Sequence, residues 1–262
     1  MIFQMISFGI VGAIAGILSG LLGIGGGIVT IPCLVLIFSY IGLPPHHIMH
    51  LAIGTSLAAM VFNTISGSYT HYKKQAIVFT VIKPMALGVV VGAALGALIA
   101  TLLSSHFLQI FFGVFEILLG IRFLFPESKT ERGHSIPSFG VLSLISTAVT
   151  TLSTMLGIGG GMVNVPILTH FGIPVKKAIG TSSALSFLIS FCGAILFLLF
   201  GMHHTTIPST MGYIYIPAFL FISVVSFCVA PYGAHLAHRL PTAILKKVFA
   251  IVLIAAGLSM IL

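Results

Sequence analysis

Apolar residues fill almost the whole chain, in ten stretches separated by short breaks that carry most of the charged residues and prolines. Most stretches come close to the roughly 20 residues that a helix needs to cross the hydrocarbon core of a bilayer. The pattern therefore predicts an all-α membrane protein that crosses the bilayer many times. The predicted segments, within about two to four residues at each end, are 3–22, 27–42, 51–72, 79–102, 107–125, 138–156, 161–172, 178–200, 210–236 and 243–262.

The second and seventh segments are too short to cross a membrane unaided. Residues 161–172 would form a helix of roughly 18 Å at about 1.5 Å per residue, against a hydrocarbon core of about 30 Å. We therefore expect the first two segments of each half to form a short or re-entrant hairpin, and the glycine tips of the two hairpins to meet near the midplane. Two full spans in place of each hairpin would leave the remaining topology unchanged.

A glycine-rich motif occurs twice in the chain. Leu22–Gly27 reads LGIGGG and returns as Leu156–Gly161, and each copy is followed by a proline, Pro32 or Pro166. Apolar segments interrupted by glycine and proline at corresponding points of two halves indicate the substrate site of a transporter built from repeats. The chain is therefore interpreted as a duplicated membrane protein.

The repeat extends beyond the glycines and divides the chain. We expect an N-terminal repeat in residues 1–126, a cytoplasmic linker in 127–137 and a C-terminal repeat in 138–262, together forming one transmembrane domain. Further matches between the halves are Thr30 with Asn164, Gly54-Thr55-Ser56 with Gly180-Thr181-Ser182, Gly96 with Gly233 and Gly120 with Gly257.

Five segments in each half is an odd number, so the second repeat is expected to insert upside down relative to the first. The eleven Lys and Arg residues support this, since all lie at odd-numbered connections while even-numbered ones carry histidines. Because cytoplasmic loops carry the excess of Lys and Arg, both termini are expected outside. The basic residues are Lys73, Lys74, Lys83, Arg122, Lys129, Arg132, Lys176, Lys177, Arg239, Lys246 and Lys247.

Composition supports the membrane class. Charged residues make up 5% of the chain and hydrophobic residues 58%, whereas a soluble domain carries about a quarter charged residues. The formal net charge of +8 is scattered over short loops, which fits membrane orientation and gives no basis for nucleic-acid binding. Cys33, Cys192 and Cys228 lie in different apolar segments without a CxxC pair, so they are interpreted as small core residues, and no cofactor is predicted.

The glycine tips are the first candidate site. Several glycines in a row disfavour a helix, and the open backbone beside the helices that begin near Ile28 and Met162 suits an anion. The spacing is not GxGxxG, so nucleotide binding is unsupported. A tight, empty turn is the alternative interpretation. The candidate glycines are Gly23, Gly25, Gly26, Gly27, Gly157, Gly159, Gly160 and Gly161.

Polar side chains near the tips extend this candidate site. Thr30 and Asn164 lie one helical turn past the glycines, where they would donate hydrogen bonds to an anion. The duplicated hydroxyl residues at the predicted starts of the third and eighth segments either line the substrate path or cap their helices. These are Thr55, Ser56, Thr181 and Ser182.

Two further features have alternative interpretations. Glu116 is the carboxylate that lies well inside an apolar segment, which makes it a candidate for proton coupling, or else a neutral residue at a helix contact. Glycines spaced by four residues are expected to serve helix packing. They are Gly12, Gly16 and Gly20, and Gly88, Gly92 and Gly96, with Ser146, Thr150 and Thr154 replacing the first set in the second half.

Histidine clusters leave a metal function open. His46, His47 and His50, together with His203 and His204, are predicted outside, where they would suit a divalent-metal transporter. A membrane metalloenzyme with a histidine cluster is a further alternative, but the third cluster, His235 and His238, falls on the cytoplasmic side and so cannot complete the same centre. The sequence therefore predicts no metal site.

The two motifs LGIGGG(I)VxxP and LGIGGGMVNVP, each followed by GTS, resemble the TauE/SafE family of bacterial sulfite and organosulfonate exporters. The resemblance covers essentially the whole chain. It implies a carrier in the bacterial inner membrane for a small sulfur anion such as sulfite, thiosulfate or a short organosulfonate, and no enzymatic activity. The family's glycine motifs map onto the two tips, Gly23–Gly27 and Gly157–Gly161. The histidine-rich outer loops are not part of the family pattern.

The direction of transport follows from the membrane potential. An inside-negative potential drives each negative charge outward by about 2.3 kcal/mol per 100 mV, so export by alternating access would run without coupling. Uptake would need a coupled proton or sodium ion, for which Glu116 is the candidate.

Overall fold

The computed structural model describes residues 2–22, 25–124, 136–202, 207–237 and 242–261. Within these ranges the chain forms ten helices and one short hairpin of strands. The helices are α1 (Ile2–Leu22), α2 (Gly27–Tyr40), α3 (Pro45–Lys73), α4 (Phe79–Leu102), α5 (Ser105–Leu124), α6 (Phe139–Met155), α7 (Gly161–His170), α8 (Val175–Gly201), α9 (Ile216–Ala237) and α10 (Thr242–Ile261); the strands are β1 (Thr210–Met211) and β2 (Ile214–Tyr215).

The predicted all-α polytopic class is confirmed. Six helices, α1, α3, α4, α5, α8 and α9, are long and apolar enough to cross a membrane. Their outward surfaces carry large exposed apolar side chains such as Leu87, Val90 and Val224, as lipid-facing helices require. Buried hydroxyl and amide side chains concentrate instead on α3 and α8, which pack against each other at the centre of the bundle.

Two predicted boundaries were wrong. The third helix begins at Pro45 instead of near residue 51, because proline is compatible with the first turn of a helix and the histidines that follow continue it. Residues 210–215, predicted as the start of the ninth segment, form the antiparallel pair β1–β2 instead. The chain reverses there through Gly212, whose φ of +56° lies in the left-handed region that glycine adopts without a steric penalty.

Helices α2 and α7 have 14 and 10 residues, about 21 Å and about 15 Å at 1.5 Å per residue. Both are therefore shorter than the hydrocarbon core, as predicted. Each begins directly after a glycine in the left-handed conformation, Gly26 with a φ of +80° and Gly160 with a φ of +68°. These residues turn the chain sharply from the preceding helix into the short one.

The four-residue glycine spacing serves helix packing, as predicted. The glycines of α1 lie against the backbone of α9, where a β-carbon at Gly16 would lie 2.9 Å from the Ser226 Cα. Those of α4 lie against α6, where a β-carbon at Gly92 would lie 2.8 Å from the Thr150 Cβ. Each interface joins one helix from each half of the chain, so the halves interlock into one bundle.

Equivalent helices of the two halves run in opposite directions where they meet. Along α5 and α10, Gly113 lies against Gly257 and Gly120 against Ala250. Along α3 and α8, Ser68 Oγ lies 3.0 Å from Ser183 Oγ, whereas Leu57, earlier in α3, lies against Gly193, later in α8. An inverted repeat requires these antiparallel pairs. The orientation of each half in a membrane stays a prediction, as do the domain boundaries, since 125–135 lie outside the described residues.

Candidate functional site

The two glycine tips contact each other. A β-carbon at Gly25 would lie 3.4 Å from the Gly159 Cα, and one at Gly27 would overlap the Gly157 carbonyl oxygen. Two helix breaks, reached from the two halves of the chain, therefore meet at one point of the bundle. Their depth in the membrane stays a prediction, and Gly23 of the first motif lies outside the described residues.

Only glycine fits this junction. Gly25, Gly26, Gly157 and Gly160 all have positive φ values, which L side chains rarely adopt. A β-carbon at Gly26 would lie 2.6 Å from the Ala15 carbonyl oxygen, and one at Gly160 would lie 2.8 Å from the Ile189 Cδ1. The glycines thus bring the backbones of the two tips into direct contact.

Polar groups around the first tip pair with one another. Asn63 on α3 donates from its Nδ2 to the Gly25 carbonyl oxygen at 3.1 Å and accepts from the Ser19 hydroxyl at 3.0 Å. The Thr30 hydroxyl donates to the Gly26 carbonyl oxygen at 3.0 Å. These three side chains are 1–2% exposed, so the polar side chains in the described part of the first tip are buried and hydrogen-bonded.

Helices α3 and α8 also hold the second tip through its carbonyl groups. Ser56 on α3 donates to the Gly157 carbonyl oxygen at 3.2 Å. Ser186 on α8 donates to the Gly159 carbonyl oxygen. The Met60 side chain lies beside the junction, because a β-carbon at Gly27 would lie 3.0 Å from its sulfur. The predicted site residue Ser56 is therefore at the tips.

Other polar groups near the second tip have no hydrogen-bond partner. They are the Ser153 hydroxyl and the Asn164 Oδ1, and both residues are at most 2% exposed. On α8, the hydroxyl of the predicted site residue Ser182 is also buried without a hydrogen-bond partner. Ser153 Oγ and Asn164 Nδ2 lie on the same side of Gly160, at 3.1 and 3.2 Å from the position of a β-carbon there. Because an unpaired buried polar group costs about 1–3 kcal/mol, these groups need a partner from outside the chain.

Thr55 and Thr181 serve a reciprocal contact between the halves. The Thr55 hydroxyl accepts from the Tyr215 N–H, and the Thr181 hydroxyl accepts from the Val78 N–H, both at 2.9 Å. Each threonine thus holds a connecting loop of the opposite half. The alternative that they cap their helices is wrong, since α3 begins ten residues before Thr55 and α8 begins six residues before Thr181. Their role in lining a substrate path stays a prediction.

The tips carry no fixed charge among the described residues. All described Lys and Arg side chains are exposed outside the junction. Glu116 on α5 is 1% exposed, and neither carboxylate oxygen has a hydrogen-bond partner. Its charge would act on the Cys33 thiol of α2, the helix that begins at the first tip. No described contact joins Glu116 to the tips.

Histidines 46, 47 and 50 lie in the first two turns of α3 and do not form the predicted loop. Within the part of the chain that the structure describes, no three His, Cys, Asp or Glu side chains are arranged to hold a metal ion. Residues 203, 204 and 238 lie outside that part. No observation of the described residues favours the divalent-metal transporter or the metalloenzyme.

Sequence reasoning missed four polar residues of the junction, Asn63, Ser19, Ser153 and Ser186. A signal for the first was present, because the chain contains only two asparagines, Asn63 and Asn164, and both lie in apolar segments. Ser153 is the counterpart of Ser19 at the 134-residue spacing of the two motifs, so the repeat itself pointed to this pair.

Comparison with known proteins agrees with this architecture. The family model described as "Sulfite exporter TauE/SafE" matches residues 8–260. The chain belongs to the TauE/SafE family. Members of this family are described as membrane transporters, and so are the curated relatives of this chain. The chain is therefore a multi-pass membrane transporter.

Two relatives match over nearly their whole length. A probable membrane transporter protein of Haemophilus influenzae is 33% identical over 256 residues, covering 97% of this chain and 96% of the relative. A probable membrane transporter protein of Methanocaldococcus jannaschii is 30% identical over 263 residues, covering 97% and 94%. No solved structure matches the chain. The printed names of these two relatives specify transport but no substrate.

Proposed function

We propose that this protein is a secondary transporter of small sulfur-containing anions, namely sulfite, thiosulfate or short organosulfonates, with the anion held where the two glycine tips meet. The observation that carries the proposal is the junction of two broken helices beside the unpaired groups of Ser153 and Asn164. The description of the family as sulfite exporters supports the substrate class.

Backbone groups supply the main anion contacts in this proposal. Helices α2 and α7 both begin at the junction, and the first N–H groups of a helix have no acceptor within the helix. The positive ends of their dipoles also favour negative charge. At the second tip, the Ser153 hydroxyl and the Asn164 Nδ2 add donors, whereas the unpaired Asn164 Oδ1 can only accept a hydrogen bond. Binding without a fixed positive charge recognises charge and size, and it is weak enough for a carrier that must release its cargo.

Alternating access follows from the relation between the halves. The antiparallel packing of α3 with α8 and of α5 with α10 supports an inverted repeat, whose two halves would open the junction to opposite sides of the membrane. In this arrangement both termini face outward, in a bacterial inner membrane. The inside-negative potential then favours export of the anion.

Glu116 is the candidate for coupling to protons. Burying an unpaired charged carboxylate costs several kcal/mol, and Glu116 has no hydrogen-bond partner. Protonation and release would therefore change the energy of α5 and of the neighbouring α2. We expect Glu116→Gln to abolish net flux driven by a proton gradient and to preserve anion counterflow. Loss of both would assign Glu116 a structural role instead, and retention of both would remove it from coupling.

Counterflow in proteoliposomes tests the proposed function. Purified protein is reconstituted into vesicles loaded with sulfite, thiosulfate, sulfate, sulfoacetate or zinc, and uptake of the labelled counterpart is measured. We expect exchange of sulfite, thiosulfate or the sulfonate, weak exchange of sulfate and none of zinc. The matched control is Gly160→Val, which fills the second tip. Exchange of zinc and of no anion would overturn the proposal.

A further inference from the structure

A cavity of about 480 Å³ lies between the start of α3, the α4–α5 connection and the β1–β2 hairpin. Four histidines line it, His46, His47 and His50 from α3 and His106 from α5, together with Tyr213 of the hairpin. Thr101, Ser104 and Ser105 add hydroxyl groups. We call this cavity the histidine vestibule. It lies apart from the glycine junction, and the proposed transport mechanism makes no use of it.

Hydrogen bonds and ring contacts fix the walls of the histidine vestibule. His50 is 4% exposed, and its Nε2 lies 3.1 Å from the carbonyl oxygens of both Ala100 and Leu103, so this nitrogen carries the proton and donates. The Met49 N–H donates to the Ser105 hydroxyl at 3.0 Å. The Tyr213 ring stacks on the His50 ring at 5.2 Å. The start of α3 is thereby attached to both neighbouring elements.

The charge that this cluster can acquire has no counter-ion in the described chain. Imidazoles take up protons between about pH 5 and about pH 8, and the His46 and His47 rings are only 4.3 Å apart. Glu116 is the sole acidic residue among those described, and it is buried ten positions beyond His106 on α5, about 15 Å along the helix. Protonation would therefore concentrate uncompensated positive charge around the cavity.

Two helix starts add to this positive potential. Helix α3 begins at Pro45 and α5 at Ser105, and both residues line the histidine vestibule. The N-terminal end of each helix carries a partial positive charge. Hydroxyl donors, two helix ends and a cluster of protonatable histidines form an environment that selects for anions, in a cavity large enough for a hydrated oxyanion.

We infer that the histidine vestibule is an anion-binding site for small oxyanions that fills when its histidines are protonated. Binding strengthens as pH falls and is lost as pH rises. The titratable groups that face it among the described residues are His46, His47, His50, His106 and Tyr213; α4 contributes only the hydroxyl of Thr101. Burial raises the pKa of Tyr213, so this residue stays uncharged throughout the range in which histidines titrate.

The position of the cavity suggests what its anion is. His50 and Ser56 lie six residues apart on α3, about 9 Å of helix, and Ser56 contacts the second tip. The hairpin that carries Tyr213 is also attached to Thr55 through Tyr215. That the bound anion is the transported one, held at the outer mouth, rests on the proposed function; the existence of the site does not.

Equilibrium binding of labelled thiosulfate to the purified protein tests the inference. Thiosulfate keeps its charge at both about pH 5.5 and about pH 8, so any change reflects the protein. We expect about tenfold tighter binding, or a second class of sites, at the lower pH. The double variant His46→Ala with His106→Ala, at two exposed positions, should reduce this gain to less than about twofold. The control His235→Ala, at an exposed histidine of α9, should keep it.

Gly160→Val separates this inference from the proposed function. Loss of the pH-independent binding, with the acid-dependent gain retained, supports both. Loss of both the pH-independent binding and the acid-dependent gain would mean that the protein has a single anion site, and it would overturn the inference that the histidine vestibule is a separate site. Retention of full pH-independent binding would count against the glycine site and leave the vestibule standing. An undiminished acid-dependent gain in the double histidine variant, or tight zinc binding that requires His46 and His106, would also overturn the inference.

Discussion

The two glycine tips both have a left-handed glycine directly before the short helix, Gly26 and Gly160, but their neighbouring polar side chains differ in hydrogen bonding. At the first tip, Ser19, Asn63 and Thr30 satisfy one another and the tip carbonyls. At the second, the counterparts of Ser19 and Thr30, which are Ser153 and Asn164, have unpaired polar atoms. The two copies therefore share the left-handed glycine before the short helix, whereas the described polar side chains beside it are paired at the first tip and unpaired at the second.

This difference predicts different roles for the two tips, one in the stability of the fold and the other in anion affinity, whereas two symmetric tips would share both roles. A closed hydrogen-bond network stabilises the fold, because each of its members would cost about 1–3 kcal/mol if left unpaired. An open set costs that energy in the empty protein and recovers it when a ligand binds. We therefore expect the first tip to contribute chiefly to stability and the second chiefly to anion affinity.

The largest effect is expected where the tips are alike. Gly26→Val and Gly160→Val should each abolish counterflow, because both residues have positive φ values and no room for a β-carbon. Size-exclusion chromatography would verify that the variants remain folded. The matched control is Gly140→Val, since a β-carbon at Gly140 meets nothing within 4 Å. Normal transport by both tip variants would contradict the assignment of the junction as the site.

The next largest effect is expected from removing one serine hydroxyl at each tip, and it should differ between the tips. Ser153→Ala removes a hydroxyl that has no partner in the empty protein, so thermal stability should be unchanged or slightly higher. Anion affinity should fall about tenfold or more, since a hydrogen bond to a charged group is worth about 1.5–3 kcal/mol.

Ser19→Ala is the matched variant at the first tip. It leaves the Asn63 Oδ1 unpaired, so the free energy of unfolding should fall by about 1–3 kcal/mol with little change in affinity. Denaturation and binding measured on both variants check the pair. Equal losses of affinity would mean that the two tips bind the anion symmetrically.

A smaller effect is expected from exchanging counterparts. Asn164→Thr gives the second tip the residue of the first, whose hydroxyl would donate to the Gly160 carbonyl oxygen as Thr30 does to Gly26. Affinity for the anion should fall by a few-fold, about 1 kcal/mol. Thr30→Asn is the reciprocal control and should change affinity less. The comparison between the tips would be reversed if Thr30→Asn had the larger effect in counterflow.

The smallest effect on anion transport is expected at the reciprocal loop contacts, where the halves are equivalent. Thr55→Val and Thr181→Val each remove an acceptor for a backbone N–H. Both should lower the free energy of unfolding by about 1–2 kcal/mol, and by similar amounts. A thermal melt of each variant, with Thr101→Val at the exposed end of α4 as control, measures this. Strongly unequal losses of unfolding free energy would show that the Thr55 and Thr181 contacts are not equivalent.

Sequence patterns predicted the helices, the short second and seventh segments and the contact between tips, because these depend on local composition. Sequence patterns did not predict which polar groups of the tips are hydrogen-bonded and which are unpaired. Ser19 and Ser153 occupy equivalent positions, and only the presence of Asn63 across the bundle distinguishes their surroundings. The hairpin at 210–215 was missed because Met211 and Ile214 continue the apolar stretch of the following helix, so the prediction extended that helix across Gly212.

The packing of α1 against α9 has a consequence for the order in which the chain assembles. The glycine face of α1 enters the membrane first, yet its partner is nearly the last helix to be synthesised. Long-range pairings of this kind slow folding. Until α9 is synthesised, the glycine face of α1 therefore lacks its packing partner in the bilayer. A chain truncated before α9 would leave α1 without its partner, so we expect quality-control proteases to remove such fragments rapidly.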